Sequence, residues 1–91
     1  MGLPTLVAQP VDKAVSPGQA ATFLVRASGT GTLWYQWERN GVPIEAATLP
    51  IYATEPTTLA DDGATYDVVV KNVFGEVKSR AAKLSVHTGG P

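Results

Sequence analysis

Cysteine is absent from the chain, which excludes a disulfide staple, a thiolate nucleophile and a thiolate metal site. Histidine occurs once, as His87, with no second base or ligand in sequence reach. Neither a Ser-His-Asp arrangement nor a metal centre can be assembled around it. Charge is also sparse: only 16% of residues are Asp, Glu, Lys or Arg, and the net charge is −1. Such a chain cannot hold a phosphate backbone by counterion release, so nucleic acid is not an expected partner. No apolar run approaches the roughly 20 residues that span a bilayer, so membrane insertion is not expected. No charged and apolar leader follows Met1-Gly2. Gly29 and Gly31 lack the further glycine, lysine and helix of a phosphate loop, and no cofactor is expected.

What is present reads as one all-β domain over 1–91, with a core at about 4–86 and flexible ends at 1–3 and 87–91. The 91 residues are 44% hydrophobic, with nine glycines and seven prolines spread as punctuation. Between them lie short runs with period-2 alternation and no sustained helical period. Pro4, Pro10 and Pro17 bracket an edge strand that breaks and resumes, since proline cannot donate to a ladder. In Gln19–Ala27 the residues Ala21, Phe23, Val25 and Ala27 share one face, while Thr22, Leu24 and Arg26 take the other. Leu33–Arg39 sets Leu33, Tyr35 and Trp37 against Trp34, Gln36 and Glu38.

Asn40-Gly41 predicts a two-residue type I′ hairpin turn into Val42–Glu45, because both residues accept positive φ. Leu49–Thr54 is a weaker strand, and Pro56–Leu59 leads to a corner at Asp61-Asp62-Gly63. Ala64–Lys71 places Tyr66, Val68 and Val70 inward and Asp67, Val69 and Lys71 outward, and Asn72–Gly75 turns it into Val77–Val86. Seven or eight such strands are best buried as two packed sheets. The expected core is Phe23, Val25, Tyr35, Trp37, Leu59, Tyr66, Val68, Val70, Leu84 and Val86.

Taken in order, a series of motifs resembles the bacterial immunoglobulin-like domain of the I-set kind. The motifs are Gln9-Pro10, Gly18-Gln19-Ala20-Ala21-Thr22-Phe23, Tyr35-Gln36-Trp37, Asn40-Gly41-Val42-Pro43-Ile44, Ala60 to Tyr66, and Val70-Lys71-Asn72 to Gly75. The resemblance covers about Pro4 to Val86. It implies a Greek-key immunoglobulin-like sandwich, with strands A, B, E and D facing C, F and G, and C′ beside C. Val25 and Val68 then occupy the places of the usual inter-sheet cysteines, with Trp37 packed over them. Tyr66 resembles the tyrosine-corner residue, whose hydroxyl returns to backbone near Asp61, although one extra residue separates Gly63 from Tyr66.

Chemistry is thinly represented. Asp61, Asp62 and Asp67 form the one acidic cluster, but they lack the alternating oxygen ligands of a calcium loop and read as bracing for the corner. No enzyme is expected. Trp34 is the exception to a bland surface. Alternation puts it on the outer C-F-G face with Gln36, Val69 and Lys83 as expected neighbours, unless a neighbouring strand, loop or domain covers it. Phe74 sits at the tip of the F–G turn, at the same end as the Ser28–Leu33 loop. Trp34, Gln36, Val69, Phe74 and Lys83 are therefore the candidate contact residues.

The resemblance implies a non-catalytic module of a larger secreted or cell-surface bacterial protein, located outside the cell or in the periplasm. It would act as a spacer or as an adhesion or protein-interaction unit. The alternative is a carbohydrate-binding accessory module that uses Trp34. Expected partners are the neighbouring domains of the parent chain and either another protein or a polysaccharide, with the isolated domain monomeric.

Overall fold

The structure is a computed structural model that describes residues 2–88. Met1 and residues 89–91 lie outside the described residues, and with them part of the ends expected to be flexible.

Ten short strands follow in order: β1 (Thr5–Ala8), β2 (Lys13–Val15), β3 (Thr22–Leu24), β4 (Arg26–Ser28), β5 (Trp34–Arg39), β6 (Val42–Pro43), β7 (Ile51–Ala53), β8 (Thr65–Asn72), β9 (Gly75–Lys78) and β10 (Ala82–Val86). One layer runs β2-β10-β8-β5-β6, with β9 also paired to β8; the other is built from the pairs β1-β4 and β3-β7. The edge strand does break and resume, and the break is a change of sheet. Its first part, β1, pairs antiparallel with β4, and its second part, β2, pairs parallel with β10. Buried Pro10 marks the crossing, where a missing N–H leaves no gap in either ladder.

The run read as one strand over Gln19–Ala27 divides into β3 and β4 at Val25. Its N–H reaches Pro50 O while the strand changes partner from β7 to β1. The last strand divides too. Ser79 Oγ accepts the Val68 N–H at 2.9 Å, so a side chain stands in the ladder between β9 and β10. The Asn40-Gly41 turn is as expected: φ is +50° and +83°, and Arg39 pairs directly with Val42.

Between the layers lie Phe23, Val25, Trp37, Tyr66, Val68, Val70, Leu84 and Val86, with Tyr35 and Tyr52 packed against them. Phe23 stacks on Tyr66 at 4.8 Å between ring centroids, and Tyr52 bridges Tyr66 and Trp37 at 5.9 and 6.3 Å. Trp37 is fully buried and its indole N–H donates to Leu49 O at 2.8 Å.

Three expectations need correction. Leu59 is not core: it opens a 3-10 turn, Leu59–Asp61, and is 56% exposed. The Tyr66 hydroxyl does not return to backbone. It accepts from Arg39 Nη1 at 2.9 Å, while Arg39 Nη2 donates to Asp61 Oδ1 at 2.9 Å. Arg39 thus links the Tyr66 hydroxyl to the Asp61 corner. Asp61 also accepts the Thr58 N–H at 2.8 Å, and that bond, ahead of the arginine, holds its carboxyl below the usual carboxylate range. Third, no D strand is present among the described residues. The segment from Ile44 to Leu49 spends its hydrogen bonds on Trp37 instead: Ile44 N–H to Trp37 O, Trp37 N–H to Ala47 O and the indole N–H to Leu49 O.

That segment carries a local strain. Ala46 sits at φ +65°, a left-handed conformation that costs a residue with a Cβ about 1–2 kcal/mol. Glycine relieves it but gains entropy when unfolded, so Ala46→Gly should stabilise the domain by about 0.5–1 kcal/mol. A thermal melt should show a rise of several degrees, at about 4–8 °C per kcal/mol for a domain this size.

Candidate functional site

Antiparallel pairing of β5 with β8, and of β8 with β9, sets three rows of side chains across the outer face of the larger sheet. Trp34 pairs with Lys71 and Lys71 with Glu76; Gln36 pairs with Val69 and Val69 with Lys78; Glu38 pairs with Asp67. Apart from Lys78, the first two rows line an open depression of about 550 Å³, with Trp34, Tyr35, Gln36, Val69, Lys71 and Glu76 in its wall. Trp34 is 49% exposed, so its ring presents a flat apolar face to whatever enters. Lys71 and Glu76 supply a cation and an anion beside it, and neither makes an ion pair among the described residues.

The candidates divide on this geometry. Trp34, Gln36 and Val69 come together. Gln36 is already committed, because its Nε2 donates to Trp37 O at 2.9 Å and to Ile44 O at 2.8 Å, which ties β5 to the segment beyond β6. Lys83 is not a neighbour of Trp34. It pairs with Thr65, six residues along β8 from the partner of Trp34 and so about 20 Å away on the same face. Alternation gives the face correctly, but only the register gives the position along it. Phe74 stands outside the depression, exposed at the turn tip, with its N–H on Asn72 Oδ1 at 2.9 Å. Lys71 and Glu76 are the residues that sequence reasoning missed. Lys71 was legible as outward-facing, and its pairing with Trp34 was not.

The F–G turn and the Ser28–Leu33 loop do share one end, and Asn72 joins them. Its Nδ2 donates to Thr30 O at 3.2 Å and to Gly2 O at 2.8 Å. Asp61 and Asp62 are spent on backbone amides, Asp62 accepting the Val86 N–H at 2.7 Å. Asp67 lies elsewhere, on the sheet face.

There, Asp67 and Glu38 form a carboxyl pair with Lys78 Nζ at 3.0 Å from Glu38 Oε1. Burial, then the facing Glu38 carboxyl, pushes Asp67 up to about 6, while the neighbouring Asp67 carboxyl and the Lys78 ammonium hold Glu38 below its usual value. The folded protein therefore keeps a proton on Asp67 that an unfolded aspartate releases near 3.8. Between those values the folded state binds more protons, so stability falls as pH rises. Asp67→Asn should donate to Glu38 at every pH and remove that loss. Relative to wild type, it should gain about 1 kcal/mol on going from about pH 5 to pH 7, a figure discounted for the pair's partial exposure. Denaturant melts at the two pH values test this, and parallel curves for wild type and variant would refute it.

Two facing sheets closed over a Trp37 centre, with C′ carried by an Asn-Gly turn, define an immunoglobulin-like sandwich that carries a shallow groove on its outer face. The chain matches the model of the immunoglobulin I-set domain over residues 4–86, and it belongs to that family. It is 32% identical over 95 residues to Endoglucanase C of Cellulomonas fimi, covering 97% of this chain and 8% of that enzyme. It is 41% identical over 58 residues to the decoration protein of Escherichia phage T5, covering 63% of this chain and 35% of that protein. The chain thus spans a small part of the curated relatives it matches. Among solved structures it superimposes on titin domain M7 with a TM-score of 0.81 and 25% identity, over 96% of both chains. It also superimposes on the tandem Ig repeats of Dlar with a TM-score of 0.83 and 20% identity, over 96% of this chain and 49% of that one. Immunoglobulin-like domains are found as modules within larger chains and are generally non-catalytic. No helix among the described residues is long and apolar enough to cross a membrane.

Proposed function

We propose that this chain is a non-catalytic module of a larger secreted or cell-surface bacterial protein, acting as a spacer or as a protein-interaction or adhesion unit. The observation that carries this is the match to a bacterial enzyme over nearly all of this chain and only 8% of the enzyme. One compact sandwich inside a chain of that length spaces and presents its neighbours. A relative from Cellulomonas fimi and one from an Escherichia phage support a bacterial setting. Location outside the cytoplasm rests on the family's common use. The proposed contact surface is the outer face around Trp34, with Phe74 at the adjoining loop end.

Carbohydrate binding is the alternative, favoured by one observation: a half-exposed indole lies in an open groove beside Lys71 and Glu76. A sugar ring could stack on the indole and direct its hydroxyls to the two charged groups. Retention on a panel of insoluble polysaccharides decides between the two, with Trp34→Ala run beside wild type. The module reading expects no retention by either protein. Retention by wild type with at least about a tenfold loss in the variant would replace it with carbohydrate binding, since truncating an exposed side chain should shift stability by no more than about 0.5 kcal/mol. Glycoside turnover that survives repeated purification of the domain would overturn the non-catalytic assignment.

A further inference from the structure

The missing D strand leaves a consequence in the smaller sheet. Strand β7 pairs with β3 on one side, and no strand pairs with its other side among the described residues. Two hydrogen bonds set which groups face that free edge. Val25 N–H donates to Pro50 O and Thr54 N–H donates to Ala21 O. In an antiparallel ladder such bonded pairs alternate, so residues 50, 52 and 54 turn their backbone groups toward β3. Ile51 and Ala53 turn theirs away, and each offers one N–H and one C=O to the outside. Neither Ile51 nor Ala53 makes a turn, loop or side-chain bond to another of the described residues.

We propose that this edge pairs with the same edge of a second copy of the chain, antiparallel about a two-fold axis through Tyr52. In that register Ile51 lies opposite Ala53 of the second copy, and each pair exchanges both of its bonds, four in all. The pattern is self-complementary, as a two-fold contact requires. Charge permits it as well. From Leu49 to Glu55 the only charge is Glu55, and the two-fold sets it opposite Leu49 of the second copy and not opposite itself. The outward side chains agree: Leu24 and Ile51 are cross-strand partners and both about half exposed, and pairing extends their row onto Ala53 of the second copy. An apolar edge without lysine or an outward-blocking proline is the kind that natural sheets otherwise protect. Pro50 does not protect it, because its missing N–H would have pointed at β3.

A strand of three residues covers little area, so the pair should hold at roughly millimolar concentration, or between copies tethered close together. The isolated domain stays monomeric when dilute.

Sedimentation equilibrium from about 10 μM to about 2 mM should show mass rising toward the dimer. Ile51→Lys places an ammonium on the edge at a solvent-facing site and should weaken association at least about threefold while leaving the melt unchanged. The absence of cysteine provides a second test, independent of affinity. Ile51→Cys chains mixed with Ala53→Cys chains and oxidised at high concentration should yield the mixed dimer in excess of statistical pairing, because those Cα atoms would lie about 5.5 Å apart. Constant monomer mass to the highest concentration overturns the proposal. So does a dimer that survives Ile51→Lys but is lost in Trp34→Ala, or a cross-linked mixture at statistical proportions.

Discussion

Trp37→Ala should bring the domain close to unfolding at room temperature. The side chain is fully enclosed, its ring stacks with Tyr52, and its N–H is the only donor to Leu49 O among the described residues. Truncation removes the largest buried side chain, opens a cavity between the sheets and strands a carbonyl, a combination that costs about 3–5 kcal/mol. A domain of this size holds roughly 5–15 kcal/mol in total, and one without a disulfide lies toward the low end. The segment from Ile44 to Leu49 should loosen as well, since it loses the indole bond at Leu49 O and keeps only the backbone bonds that Ile44 and Ala47 make with residue 37. Circular dichroism and a thermal melt measure the effect. Trp34→Ala, three residues away on the same strand, is the matched control and should melt almost as wild type does. If the two variants exchanged behaviour, the faces of β5 would be the reverse of those described.

Asn72→Ala is the second large effect. Asn72 is 3% exposed and makes three bonds: to Gly2 O, to Thr30 O and from the Phe74 N–H. Its two donated bonds hold the start of the chain and the loop after β4 against the F–G turn, and Gly29 sits in close contact with its amide, where a Cβ would come within 3.3 Å of Nδ2. Alanine leaves these backbone groups unpaired in a confined space, at about 2–3 kcal/mol. The melting temperature should fall by about 10–20 °C at the 4–8 °C per kcal/mol of a domain this size. Hydrogen exchange should quicken first at the amides of Phe74 and of the Ser28–Leu33 loop, with the Asn40-Gly41 end protected as before. A uniform loss of protection would mean that Asn72 supports the whole core and not one end of it.

These two residues also mark how far the chain could be read without coordinates. Trp37 follows from alternation alone, because a period of two assigns every residue of a strand to a face once a single one is placed. The same logic gives Phe23, Val25, Tyr66, Val68 and Val70 as core. Asn72 reads only as a turn residue, since its partners Gly2 and Thr30 are remote in sequence and nothing local announces a bond to either. Leu59 fails for a related reason. An apolar residue before a corner reads as buried, but it opens a short 3-10 turn whose backbone serves Asp61 and whose side chain points out.

By itself, the sequence determined the all-β class, the Asn40-Gly41 hairpin, the identity of the inner faces and the exposure of Trp34. Each depends on residues within one strand or one turn. Tertiary structure alone decided which strands meet and at what register. It put Lys71 and Glu76 beside Trp34 and sent Lys83 about 20 Å away, a distance that follows from six residues of strand rise. It gave Arg39 to Tyr66 and Asp61, brought Asp67 against Glu38, and left β7 without a partner on its outer edge. Local periodicity cannot supply these, because register and strand order are chosen by the burial of all faces at once.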